Sequence, residues 1–145
     1  MSELAKQYRT ALVTGASTGL GRAMAGMLLD EGVRVWGTAR EPSRLPVREG
    51  LTALALDLRS DASVDTAWAE ADRAAGGFDL AILDVNLGGD EVFPVAETLK
   101  TARIPFIFAS GYGKGGLPQD WAAYPVAAKP FLIDDLDTAL AQAMA

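Results

Sequence analysis

The chain is predicted to fold as a three-layer, doubly wound α/β domain around a parallel sheet, and three observations carry that expectation. Short runs rich in Val, Leu, Ile, Phe and Ala recur at residues 11–14, 33–38, 52–56, 80–83, 105–109 and 125–128. Segments with helical spacing alternate with them. Each run is apolar enough to be buried on both faces, which suits a parallel sheet with helices on either side. Right-handed crossovers leave few topologies, and six strands in the order 3-2-1-4-5-6 follow.

Taken in order, TALVTGASTGLG at 10–21 reads as a buried strand running into a glycine-rich turn at a helix start. Leu20, Ala23, Met24, Met27 and Leu28 keep the i, i+3, i+4, i+7 rhythm, and Gly32 offers a left-handed stop, so a helix spans about 20–31. After the second run, REPSRLPVRE holds two prolines and supports at most a short helix. Beyond the third, Ser63 can cap a helix that buries Val64, Ala67, Trp68 and Ala71 and ends at Gly76 and Gly77. Val92, Val95, Ala96 and Leu99 outline the next, with Pro94 confined to its first turn. GKGGLPQDW is a loop or a single turn. The last helix carries Leu136, Ala139, Leu140 and Ala143 on one face, with Asp134 and Asp135 at its positive end.

With 145 residues, half of them hydrophobic, the chain suits one α/β domain over 1–145. No apolar run approaches the roughly 20 residues of a membrane span, and SELAKQYRT is no secretory leader, so a cytoplasmic protein without membrane partners is expected. There is no Cys and no His, which excludes thiolate zinc sites and Ser-His or Cys-His catalysis. A net charge of −6 argues against nucleic acid, whose nonspecific binding rests on clustered Lys and Arg. The charge is uneven: residues 1–77 hold 9 basic and 10 acidic side chains, residues 78–145 hold 4 and 9.

Two motifs carry chemistry. In the first, Gly15 permits a tight turn out of the strand and Gly19 lets backbone approach a pyrophosphate. Gly21 lets the helix pack closely on the sheet, and the helix N-terminus faces the anion. Thr14 to Gly21 matches a TGxxxGxG pattern, and residues 7–80 resemble the short-chain dehydrogenase/reductase family. That resemblance implies a dinucleotide site formed by Gly15, Ser17, Thr18, Gly19, Leu20 and Gly21. It also implies Arg22 and Arg40 near the 2′-phosphate of NADP and Asp57 at the adenine edge. The family's Asn-Asn-Ala-Gly segment, its catalytic Ser and its Tyr followed four residues on by Lys find no match. Tyr124 and Lys129 are five apart with Pro125 between them.

The second set is DLAILDVNLGG, PFIFASGYG and VAAKPF, and residues 78–145 resemble the C-terminal half of two-component receiver domains. By position, Asp84 would be the phosphoacceptor, Ser110 the hydroxyl on the phosphoryl group and Lys129 its cation. A receiver also needs an acid pair after the first strand to hold Mg²⁺, and Thr14-Gly15-Ala16-Ser17 stands there instead, so no metal site and no Mg²⁺ are expected. Together the two resemblances imply a chimera, recombined or engineered, joined within 75–84. It would have no turnover and would be no enzyme. Asp84, facing the glycine turn, would weaken NADP(H) binding by about one or two orders of magnitude. Two alternatives remain, a phosphorylatable receiver and an NADP-dependent short-chain reductase; the oligomeric state is left open.

Overall fold

The pleat of the strands sorts their apolar residues onto two faces, and each face has its own helical cover. The computed structural model describes residues 9–16, 19–39, 41–45, 47–55, 61–84, 93–110, 121 and 126–128. In order these form β1 (Thr10–Val13), α1 (Gly19–Asp30), β2 (Arg34–Ala39), a short 3-10 turn (Pro42–Arg44) and β3 (Leu51–Ala55). There follow α2 (Asp61–Ala75), β4 (Leu80–Asp84), α3 (Phe93–Thr101), β5 (Phe106–Ser110) and β6 (Val126–Ala128). All strand pairs are parallel and the order is β3-β2-β1-β4-β5-β6, as the sequence predicts.

On one face Ala11, Val13, Val35, Leu80, Ile82 and Ile107 meet Met24, Ala25 and Leu28 of α1. On the other, Leu12, Trp36, Ala81, Leu83, Phe106 and Phe108 meet Ala71 of α2 and Val95, Ala96 and Leu99 of α3. Neighbouring residues of β1, β4 and β5 thus enter different cores, which makes a three-layer sandwich. Residues Leu80 to Leu83 are fully buried, so β4 is central and has no solvent face. Each such Leu or Ile contributes about 1.5–3 kcal/mol by leaving water.

Two devices fix the strands that carry the site. Gly32, at φ 92°, ends α1: its N–H donates to Leu29 O at 3.0 Å and that of Val33 to Leu28 O at 3.0 Å. That left-handed cap aims the chain straight into β2. At the N-terminal edge of the sheet, the Asp79 carboxylate accepts from the N–H groups of Arg9 at 2.6 Å and Thr10 at 3.2 Å. The Thr10 hydroxyl donates to Gly77 O at 2.9 Å, so β1 and β4 are pinned together where they start.

The strands agree with the sequence pattern to within about a residue. Ser63 does not cap α2, which begins two residues earlier at Asp61. Pro94 does fall in the first turn of α3. The helix expected over 136–143 and the loop at 111–120 lie outside the described residues. Among the described residues no helix is long and apolar enough to cross a membrane.

Candidate functional site: the turn after β1

The chain leaves β1 towards β2 through α1 on one face, and returns from β3 to β4 through α2 on the other. Between β1 and β4 the winding reverses, and the crevice beyond their C-terminal ends is where open α/β sheets take ligands. The turn at that crevice is built from three backbone N–H groups. That of Thr14 donates to Ile82 O of β4 at 3.0 Å, prolonging the ladder by one bond. Gly15 N–H donates to the Thr38 hydroxyl at 3.3 Å, and Ala16 N–H to Thr38 O at 2.9 Å.

Gly15 stands at φ 62°, a left-handed conformation that a residue with a Cβ adopts at a cost of about 1–2 kcal/mol. That single reversal turns the chain over the end of β2 rather than past it. Ala16 is buried in the core beneath, and α1 starts at Gly19. The first turn of a helix has N–H groups without intrahelical acceptors and a positive dipole end, which suits a phosphate. Gly19, Leu20 and Gly21 make up that first turn, and Arg22 follows with an exposed side chain.

Ser17 and Thr18, Arg40, Asp57 and Lys129 lie outside the described residues. Their neighbours do not: β2 ends at Ala39 and β3 at Ala55 on the edge that carries the turn. Asp84 ends β4 and Ser110 ends β5, in register with Ala109 and Ala128 respectively. With Val13 opposite Ile82, the same register continued brings Gly15 level with Asp84. The structure thus gathers Gly15, the start of α1, Asp84 and Ser110 at one edge of the sheet.

Sequence reasoning missed Gly37 and Thr38. Thr38 is a buried polar residue in an otherwise apolar strand, and both its hydroxyl and its carbonyl hold the turn. The signal was a Gly followed by a Thr inside RVWGTA, since a mid-strand Gly marks close approach of another backbone. Thr38→Val is expected to leave the Gly15 N–H without its acceptor and to lower stability by about 1 kcal/mol. Urea denaturation checks this, and an unchanged midpoint would mean that water replaces the hydroxyl.

A glycine turn at a helix N-terminus, set on the switch point of a 3-2-1-4-5-6 sheet, defines a nucleotide-binding Rossmann-type fold. Comparison with known proteins narrows the class. A short chain dehydrogenase family model matches residues 9–106. That is more than half of the chain, and the protein belongs to the short-chain dehydrogenase family. An uncharacterized oxidoreductase of Myxococcus xanthus is 41% identical over 91 residues, 57% of this chain and 36% of its own length. A short-chain dehydrogenase/reductase of Pestalotiopsis microspora is 37% identical over 92 residues, 61% of this chain and 32% of its own. The crystal structure of 3-ketoacyl-(acyl-carrier-protein) reductase from Brucella melitensis complexed with NADH superposes with a TM-score of 0.61 at 18% identity. It covers 94% of this chain and 64% of that one, and at such identity it speaks for the fold alone. The chain spans about a third of the length of the curated relatives it matches.

These findings correct the chimera expected from the sequence. The family match runs from 9 through 106 without a break at 75–84, so residues 78–106 belong to the same family as the glycine turn. The receiver reading of 78–145 falls with the join, and with it the resemblance from which the roles of Asp84, Ser110 and Lys129 were carried over. The error has a physical source: an apolar central strand ending in an acid is what any buried parallel strand with a polar C-terminal edge looks like. The expectation of no turnover and no enzyme is overturned as well, because the matched family is that of short chain dehydrogenases and the matched relatives are oxidoreductases. It rested on the unmatched Asn-Asn-Ala-Gly segment, catalytic Ser and Tyr and Lys pair, and on the missing receiver acid pair, in a chain that covers about a third of those relatives. The weakened binding expected from Asp84 rested on its charge facing the glycine turn, and the register does bring the two level; membership of the family does not require that the cofactor bind weakly.

Proposed function

We propose that residues 1–145 form one α/β domain that binds NADP(H) for a short-chain oxidoreductase acting on a carbonyl or alcohol. The observation that carries this reading is the Gly15 turn, held to Thr38 and Ile82 with the start of α1 beyond it. The turn fits a pyrophosphate: a left-handed glycine keeps side-chain bulk away, and the helix end supplies N–H donors and positive potential. Bound NADPH would supply the hydride. Ser17 and Thr18 would add hydroxyl donors to the phosphates, and Gly19, Leu20 and Gly21 their backbone. Arg22 and Arg40 would meet the 2′-phosphate, and Asp57 the adenine edge.

Titration with NADPH, followed by nicotinamide fluorescence, tests the reading directly. Saturable binding is expected, with NADPH preferred to NADH, and equal affinity for both would remove the roles of Arg22 and Arg40. Arg40→Ala is expected to weaken NADPH about tenfold while leaving NADH unchanged, because a guanidinium pairs with a phosphate and not with a ribose hydroxyl. Consumption of NADPH in the presence of carbonyl compounds, read from nicotinamide absorbance, tests the reaction class.

A further inference from the structure

We infer that Gly37, in the middle of β2, is a positioning residue for the dinucleotide: its missing side chain sets how low the Gly15 turn sits on the sheet. The inference rests on the cofactor reading above. Gly37 is not among the residues with left-handed φ, so the backbone there does not require glycine. Glycine inside a strand is also unfavourable by about 0.5–1 kcal/mol relative to alanine. Something other than conformation therefore holds it.

That something is space under the turn. A Cβ on Gly37 would lie 2.8 Å from the Cβ of Ala16, 3.2 Å from Leu51 Cδ1 and 3.6 Å from Leu45 Cδ2. Relaxed carbon contacts are about 3.5–4.0 Å, so the first of these must open by about 1 Å. Leu51 can rotate its end away, but Ala16 has no rotamer to change and could move only with its backbone. That backbone is tied to Thr38, the very next residue of β2, through Ala16 N–H to Thr38 O at 2.9 Å. A methyl group at 37 therefore pushes up what the main chain at 38 pulls down. The turn must lift, and Gly19 with the helix N-terminus lies three residues further along the same backbone. Misplacing a ligand-holding group by about 1 Å can cost up to about a hundredfold.

Four variants test this. Gly37→Ala is expected to weaken NADPH at least about tenfold and to speed hydrogen exchange of the Ala16 amide by a similar factor. Adding Ala16→Gly removes the clashing atom, and the double variant is expected to recover both readouts to within about threefold of Ala16→Gly alone. Gly26→Ala, where a new Cβ finds only Arg48 Nη1 at 4.0 Å, makes the same chemical change in α1 and is expected to leave NADPH binding unchanged. A Gly37→Ala protein with wild-type affinity and Ala16 protection overturns the inference, as does a double variant without recovery. Should Gly37→Ala fail to fold, a folded double variant supports it and an unfolded one overturns it. Should the wild type bind no NADPH, the cofactor reading fails by itself, and exchange of the amide at position 16, read in Gly37→Ala against the wild type and in the double variant against Ala16→Gly alone, still decides where the turn sits.

Discussion

Gly15→Val is expected to weaken NADPH binding by at least about a hundredfold, with a stability loss of about 1–3 kcal/mol. Gly15 sits at φ 62°, and a β-branched residue there is a genuine outlier rather than an uncommon conformer. The variant has two ways out. It can keep the turn and store the strain, or it can move φ to the negative side and redirect the chain. The second breaks the Gly15 and Ala16 bonds to Thr38, and with them the placement of the helix end that would meet the pyrophosphate. Gly15→Asn separates strain from bulk, because asparagine tolerates the left-handed region. It is expected to melt near the wild type and to lose less affinity than valine. Affinities of the two variants within a factor of about two would show that side-chain volume, and not φ, governs the turn.

The sheet was legible in the sequence for a reason visible in β4. Leu80, Ala81, Ile82 and Leu83 are all fully buried, so this strand has no polar phase and announces itself as an unbroken apolar run. The same property misled the reading of residues 78–106. A strand without alternation carries little information about which family made it, and Asp84 at its end is a residue type that many strand ends share. The glycine turn was legible because Gly15 and the helix start have to be where they are. Its tethers were not. Thr38 could be read as one more β-branched strand residue, and its two bonds to the turn join residues more than twenty positions apart. Pairing across strands sets such contacts, and only the register of β1 on β2 reveals them.

Asp79 makes the same point at the opposite edge. In the sequence it is a polar residue before an apolar strand; in the fold its carboxylate receives two main-chain N–H groups of the segment entering β1. Residues from the first and fourth strands thus hold each other at the bottom of the sheet, and Thr14 and Ile82 do so at the top. The crevice opens between two strands fastened at both ends, which is the rigidity a phosphate-binding turn needs.

Phe108→Ala is expected to lower stability by about 3–5 kcal/mol, the largest single loss in the described core. Phe108 is fully buried in β5, flanked by β4 and β6, and its ring lies 5.6 Å from Phe106, 5.8 Å from Phe93 and 5.8 Å from Trp121. Truncation removes a ring that touches three others, and neighbours fixed on α3 and on β5 itself close the cavity only in part. For a chain of this size each kcal/mol moves Tm by about 2–4 °C, so a drop of about 10 °C is expected. The variant also tests whether the sheet is one cooperative unit. Phe108 lies just beyond residues 9–106, while Trp36 packs in the same core from β2. If the strands fold together, urea unfolding followed by tryptophan fluorescence and by far-UV circular dichroism will shift by the same amount in a single transition. Two separated transitions, with α1 and β1–β3 persisting after β5 has melted, would mean that β5 and β6 add little to the stability of the turn-bearing half. In that case NADPH binding would survive Phe108→Ala well above the midpoint of the weaker transition.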